Sequence, residues 1–177
     1  MNQQLCALQR RLQALEDTNA IKELQAAYWR GIDLQRPEEV YEVFAPDVIR
    51  IDFEGMPGVM TSREEFVQVF RELGCQPHRR EMHHGQNPKI TFAGLNTARG
   101  VWHLFMFGLN LDTRTTIQLS GEYNCEYVRK NGRWWIKAMV FRRNSILTQD
   151  IAADGAVSVT GLGMPGENAA RHLSGAG

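Results

Sequence analysis

Glu122-Tyr123-Asn124-Cys125-Glu126-Tyr127-Val128-Arg129-Lys130-Asn131-Gly132-Arg133-Trp134-Trp135-Ile136-Lys137-Ala138-Met139-Val140-Phe141 decides the fold. The period is two on both sides of Lys130-Asn131-Gly132, a tight hairpin turn. The spacing predicts strands over 115–129 and 133–144. Working outward, 99–109 reads as another long strand and 89–92 as a shorter one. Upstream of residue 86 the period changes to that of helices. Helices first and a meander of long strands after make an α+β fold, with helices packed on one face of a curved antiparallel sheet.

The helical half reads in pieces. Leu5, Leu8, Leu12 and Leu15 form one stripe of a short helix that packs on its own domain or on a neighbouring subunit. Asp17-Thr18-Asn19 can cap a second helix carrying Ile21, Leu24, Tyr28 and Ile32. Tyr28 and Asp33 lie ~140° apart on an ideal helix. They share a face only if that helix ends or bends near Gly31. Pro37 opens a third helix, stopped by Ala45-Pro46-Asp47, and residues 48–53 alternate as a strand. Ser62 caps a last helix with Glu65 at the capping-box position. Residues 1–150 form one domain. The tail, 151–177, is rich in Gly and Ala and is expected to be a covering segment, a subunit-exchange arm or partly disordered.

Composition narrows the classes. The 177 residues suit one domain, and 20 Lys+Arg balance 20 Asp+Glu. That balance gives no reason to expect nucleic acid or an anionic membrane as partner. Cys6, Cys75 and Cys125 show neither a disulfide framework nor a zinc pattern and fit a reducing cytoplasm. No apolar run approaches the ~18 residues of a membrane span. The adjacent His83 and His84 cannot easily share one ion from a strand, so no metal is expected. No Gly-rich loop precedes a helix to cradle a nucleotide, so no cofactor is expected either.

Two motifs carry candidate chemistry: Tyr28-Trp29-Arg30-Gly31-Ile32-Asp33 and Met82-His83-His84-Gly85-Gln86-Asn87-Pro88. The first offers a phenol and a carboxylate at a helix end. The second offers imidazole at the start of a strand. An acid, a base and a hydrogen-bond donor that converge are the ingredients of proton transfer. Taken with Phe44-Ala45-Pro46-Asp47, Ser62-Arg63-Glu64-Glu65, Gly121-Glu122-Tyr123 and Asn131-Gly132-Arg133-Trp134-Trp135-Ile136, their order resembles the SnoaL-like branch of the nuclear-transport-factor-two-like superfamily over roughly residues 8–147. The resemblance implies a cone: helices in the concave face of a strongly bent, mostly antiparallel sheet, enclosing one deep pocket. Within the branch the chain is most similar to scytalone dehydratase, bile-acid 7α-dehydratase and hexachlorocyclohexane dehydrochlorinase, cofactor-free lyases that are usually trimeric.

Carried over position by position, the resemblance makes His83 the general base and Asp33 the carboxylate that orients it. Tyr28 matches the tyrosine of the bile-acid dehydratase pattern. The dehydrochlorinase pattern has lysine there, so the balance tilts from dehalogenation toward loss of water. An arginine late in the last strand completes the set as Arg142 or Arg143, with Arg142 taken first. His83 and His84 alternate, so one faces the pocket, and the family position is that of His83. His103 is a second pocket histidine or a satisfied core one. Phe53, Trp102, Phe105, Tyr123 and Phe141 are numerous enough to line an apolar cavity, which suits a polycyclic or aromatic substrate.

The chemistry is consistent with an elimination. Imidazole, whose ordinary pKa is ~6.5, suits a base. A carboxylate on its other nitrogen fixes the tautomer. A phenol or guanidinium can polarise a carbonyl or assist a leaving hydroxyl. The expectation is a cofactor-independent dehydratase or related lyase acting on a hydrophobic hydroxylated substrate, as a homo-oligomer, trimer by analogy or dimer. The competing readings are a ketosteroid-type isomerase, a non-catalytic small-molecule-binding or assembly module, and a small subunit supporting an oxygenase.

Overall fold

The computed structural model describes residues 2–56 and 58–163. Three helices, α1 (Asn2–Asp33), α2 (Pro37–Tyr41) and α3 (Arg63–Leu73), accompany strands β1 (Arg50–Phe53), β2 (Arg79–Phe92), β3 (Thr97–Asn110), β4 (Thr115–Lys130), β5 (Arg133–Ile151) and β6 (Val157–Gly163). The sheet order is β1-β5-β4-β3-β2, and β6 pairs with the far end of β5. Strand β1 runs parallel to β5 and the other pairs are antiparallel, so the sheet is mixed. This is the α+β architecture expected: N-terminal helices on a curled sheet. The turn at Lys130-Asn131-Gly132 has positive φ at Asn131 (51°) and Gly132 (77°), as a two-residue hairpin turn demands. Bulges at Gln86/Lys89, Ser120/Gly121, Glu126/Tyr127 and Thr148/Gln149 interrupt the ladders. Bulges sharpen local twist, and the extra residues on β2, β5 and β6 bend the sheet around the helices.

Helix α1 departs from its sequence reading. It is one helix of 32 residues, not two. The expected cap at Asp17-Thr18-Asn19 is spent within the helix: Gln13 donates to Asp17, Thr18 Oγ1 to the Ala14 carbonyl and Asn19 to Glu23, all one turn apart. With those polar groups satisfied locally, nothing forces a break. The leucine stripe of the first turns is exposed, from 53% at Leu5 to 69% at Leu15. Burial begins at Asp17 and continues through Ile21, Leu24, Gln25, Tyr28 and Trp29.

Gly31 does not end the helix either. A Cβ there would fall 2.7 Å from Val40 Cγ2, so glycine lets α1 close on α2. The helix stops at Asp33, where Gln35 adopts φ 53° and the Arg36 N–H reaches back to the Gly31 carbonyl. Helix α3 starts as read: Ser62 Oγ accepts from the Glu65 N–H at 3.1 Å, and Glu65 accepts from the Thr61 N–H.

The sheet is longer than the periodicity indicated. Strand β2 begins at Arg79, ten residues before the expected Lys89, and puts the histidine motif mid-strand. Pro88 hid this extension, since proline lacks a ladder donor. The bulge absorbs it, with Asn87 at φ 52°. Strand β5 runs on to Ile151, and residues 157–163 of the expected tail form β6 against it. The tail's remaining part, 164–177, lies outside the described residues. The core is the layer between α1, α3 and the inner sheet face, built on Ile21, Phe44, Ile51, Phe66, Ile136 and Met139.

Candidate functional site

Strand alternation sorts the site residues. On β2, Glu81, His83 and Gly85 turn inward, while Met82 and His84 turn out. Across β3 the inward set is Trp102, Leu104, Met106 and Gly108. On β4 it includes Gly121, Tyr123, Cys125 and Tyr127, and on β5 Met139 and Phe141. Helix α1 lies over this inner face and ends beside β2.

Asp33, the last residue of α1, meets His83 there. Its carboxylate takes the His83 ring Nδ1 at 2.6 Å on Oδ1. The His83 backbone N–H donates to both carboxylate oxygens at 3.1 Å. The two side chains are only 10% and 19% exposed. A helix C-terminus carries a partial negative charge, so a shielded carboxylate there is unfavourable unless donors compensate it. His83 supplies both donors.

Tyr28 reaches another part of the face. Its ring packs edge-on against Phe44 at 5.8 Å and Tyr123 at 6.4 Å. Burial first, and then the neighbouring Tyr123 hydroxyl, push the Tyr28 phenol well above its ordinary pKa. Tyr123 is also pushed up strongly, by burial first, with Cys125, Glu81 and Asp33 adding. Both phenols therefore stay protonated, as donors must. The ~140° between Tyr28 and Asp33 is unrelieved by any break in α1. The curled sheet solves the problem instead, offering β4 to one side chain and β2 to the other.

Four of the five expected pocket residues share this layer. Phe53 packs on Tyr123 and Phe141 at 5.6 and 6.4 Å, and Tyr123 on Phe141 at 4.8 Å. Trp102 meets Trp29 at 5.3 Å and donates its Nε1–H to the Tyr127 hydroxyl. Phe105 is a correction. It lies three residues from Trp102, on the opposite face, 41% exposed, its ring tilted 36° to that of His84 at 6.5 Å. Residues an odd number apart on a regular strand cannot line one pocket.

The same parity removes other candidates from the inner face. His84 points outward. His103 is exposed on the outer face, between Asn87 and Glu122. Arg142 pairs across β4 with the outward Glu122 and binds Asp52 at 3.0 Å. The structure does not bring it to His83. Arg143 lies opposite the inward Gly121 and holds Glu54 at 3.0 Å. Of the two arginines, Arg143 is on the side of the site.

Sequence reading missed Glu81, Trp29 and Gln25. Glu81 stands two residues before His83, and its Oε1 is held by Arg79 at 2.6 Å. Its period-two spacing would have found it had β2 been extended upstream. Trp29 is 6% exposed and Gln25 fully buried, both on the inward stripe of α1. Among the described residues no cluster of three or more His, Cys, Asp and Glu could hold a metal ion, and no helix is long and apolar enough to cross a membrane.

Comparison with known proteins bears on this geometry. A family model described as a SnoaL-like domain matches residues 13–140. Among solved structures, the chain is similar to LinA, with a TM-score of 0.71 at 18% identity over 77% of this chain and 91% of that one. It is similar to the hexachlorocyclohexane dehydrochlorinase LinA-type3 of Novosphingobium barchaimii LL02, with a TM-score of 0.67 at 18% identity over 89% and 97%. A protein of Novosphingobium aromaticivorans DSM 12444, provisionally named a scytalone dehydratase, has a TM-score of 0.69 at 21% identity over 88% and 97%. At these identities the likeness is one of fold.

Proposed function

This chain belongs to the SnoaL-like domain family, and we propose that within it the chain is a cofactor-independent lyase that removes water from a hydrophobic, hydroxylated substrate. The observation that carries this reading is the 2.6 Å contact between Asp33 and His83 Nδ1 in a shielded corner of the inner face. A binding module has no need of a charge-oriented base. With the carboxylate as its partner, Nδ1 carries a proton and Nε2 offers its lone pair.

The steps balance as an elimination. His83 Nε2 takes a proton from the carbon next to the one bearing hydroxyl. The C–O bond breaks, and the departing oxygen takes the proton of a phenol, leaving as water. The phenolate recovers its proton from the imidazolium. Tyr28 is the donor. Arg142 has no part in this reading because it faces the other side of the sheet. Phe53, Trp102, Tyr123 and Phe141 favour an aromatic or polycyclic body. Copies of the chain associate, as a trimer by analogy. The exposed stripe of Leu5, Leu8, Leu12 and Leu15 supports association.

A second reading, isomerisation by a carboxylate and a tyrosine, has Glu81 in its favour, since it shares the inner face with His83. One screen separates the readings. Wild type and His83→Ala are offered a panel of β-hydroxy-ketones and polycyclic alcohols, and formation of a conjugated product is followed by ultraviolet absorbance. Turnover by the wild type and its loss in a folded His83→Ala protein are expected. Equal turnover by both would remove His83 as the base.

A further inference from the structure

Buried donors without an acceptor among the described residues are the Nε–H of Arg63, at the start of α3, and two on α1, the indole Nε1–H of Trp29 and the Nε2–H of Gln25. The latter two stand one helical turn apart on the inward stripe of α1, so they face the same way. A fold seldom tolerates buried donors without partners, because each loses its hydrogen bonds to water and gains none in return. Two together on the face that carries the Asp33–His83 pair call for an explanation.

Their surroundings supply one. Gln25 is not loosely placed, because its Oε1 accepts from the Tyr127 hydroxyl at 2.7 Å, and that hydroxyl accepts from Trp102. The amide's orientation is thereby set: oxygen toward Tyr127, nitrogen away from it. Trp29 is held as firmly. Its ring edge lies on Gly85, where a Cβ would fall 1.8 Å from the indole Cη2, and its ring crosses Trp102 nearly at right angles. Gly85 is two residues from His83 on the same face of β2, and Asp33 follows Trp29 by one turn of α1. The benzenoid edge of the indole therefore lies beside the strand that carries the base, and the N–H is on its other ring.

We propose that Trp29, seconded by Gln25, donates its unused N–H to an oxygen of the substrate, the carbonyl oxygen that gains negative charge when His83 removes the adjacent proton. The inference rests on the lyase reading. It adds to it a substrate class: molecules with a hydrogen-bond-accepting oxygen, ketone or enolisable carbonyl, at the end that enters between α1 and the sheet. Donors held ready for charge that develops only during reaction are the usual form of electrostatic catalysis. In the resting protein such donors cost stability rather than add to it.

That last property gives the test its discrimination. Trp29→Phe removes the N–H together with the outer ring edge that lies on Gly85. Replacement of Trp29 by its benzothienyl isostere keeps the whole ring shape and removes only the N–H. Both are compared with wild type and His83→Ala for turnover of a β-hydroxy-ketone, for melting temperature, and for calorimetric binding of 2-naphthol, whose oxygen stands in for that of the enolate. The expected result is a drop of about 100-fold in kcat for both Trp29 variants, weaker naphthol binding, a melting temperature unchanged or raised in the isostere, and one lowered in Trp29→Phe by the cavity it leaves. If wild type turns over, His83→Ala does not, and the isostere matches wild type, the donor role is overturned while the lyase reading stands. If nothing turns over but naphthol binding still weakens in both variants, the lyase reading falls and the oxygen-binding role of Trp29 survives. Loss of activity together with a lowered melting temperature in the isostere would show Trp29 to be packing only and overturn the proposal. Naphthol binding equal in all proteins, or absent from all, without a loss of turnover confined to the Trp29 variants, would overturn it as well.

Discussion

Replacing Asp33 by Asn perturbs the site at its centre with the loss of one charge and almost no volume. In the native protein the carboxylate accepts the ring N–H of His83 at 2.6 Å and the backbone N–H at 3.1 Å. Two opposite charges about 4 Å apart at an effective dielectric near 20 attract by about 4 kcal/mol. If about half of the imidazolium charge has formed in the transition state, the carboxylate lowers the barrier by about 2 kcal/mol, or more than tenfold in rate. The amide adds a second loss. Its NH2 can face Nδ1 and hold the proton on Nε2, the wrong tautomer, an effect of about 10,000-fold in the serine-protease triad that serves as the reference case. Asp33→Asn should therefore lower kcat between about 100- and 10,000-fold. Stability should move little. A charge-assisted hydrogen bond contributes about 1.5–3 kcal/mol, but the charge also sits unfavourably at the helix C-terminus by about 0.3–1 kcal/mol, and the amide oxygen keeps one bond. A net loss of about 1 kcal/mol in urea unfolding is expected. Nitrogen-15 NMR of the imidazole should show the Nδ1–H form in wild type and a mixture in the variant. A variant with kcat within threefold of wild type and an unchanged tautomer would refute the argument.

Two further outcomes follow from the packing. Tyr28, Tyr123 and Tyr127 are buried, and burial raises all three phenols above their ordinary pKa. Folding then favours their protonated forms, so their contribution is fully present below about pH 10 and is lost as pH rises above it, by about 1.4 kcal/mol per pH unit for each tyrosine. Urea unfolding followed from pH 8 upward should show that steepening, and a flat profile would contradict it. Asp17 is 8% exposed and accepts from the Trp134 indole at 2.9 Å while pairing with Arg129 at 3.2 Å. Asp17→Ala leaves both donors without a partner and should cost about 3 kcal/mol, read as a fall in the urea midpoint. A cost under about 0.5 kcal/mol would show that the contacts contribute nothing.

Local chemistry made much of this protein legible from the chain alone. The alternation around Lys130-Asn131-Gly132 declared a hairpin because a two-residue turn with positive φ suits Asn-Gly. Ser62 and Glu65 announced a helix start because their side chains satisfy its free amides. The meander after the helices followed from period, and the pairing of Asp33 with a histidine of the Met82–Pro88 motif from resemblance and chain order. Legibility stopped where satisfaction is not local or where a breaker is absorbed. Thr18 and Asn19 looked like a cap, yet their bonds close within α1. Pro88 looked like a strand end, yet a bulge carries it.

Which side chains meet was decided by tertiary structure. Strand parity is exact only once the strand bounds and bulges are known, and a one-residue error moves a side chain to the other face. That is why Arg142 and Arg143, on a strand interrupted by bulges, could not be sorted in sequence, whereas the odd spacing of Phe105 from Trp102 already put those two on opposite faces. The angle between Tyr28 and Asp33 was fixed by helix geometry and needed no kink, because sheet curvature brings different strands to each. The unpaired donors of Gln25 and Trp29 are invisible in any string of residues. A missing partner is a property of three-dimensional surroundings, and those exist only after the sheet has closed on the helix.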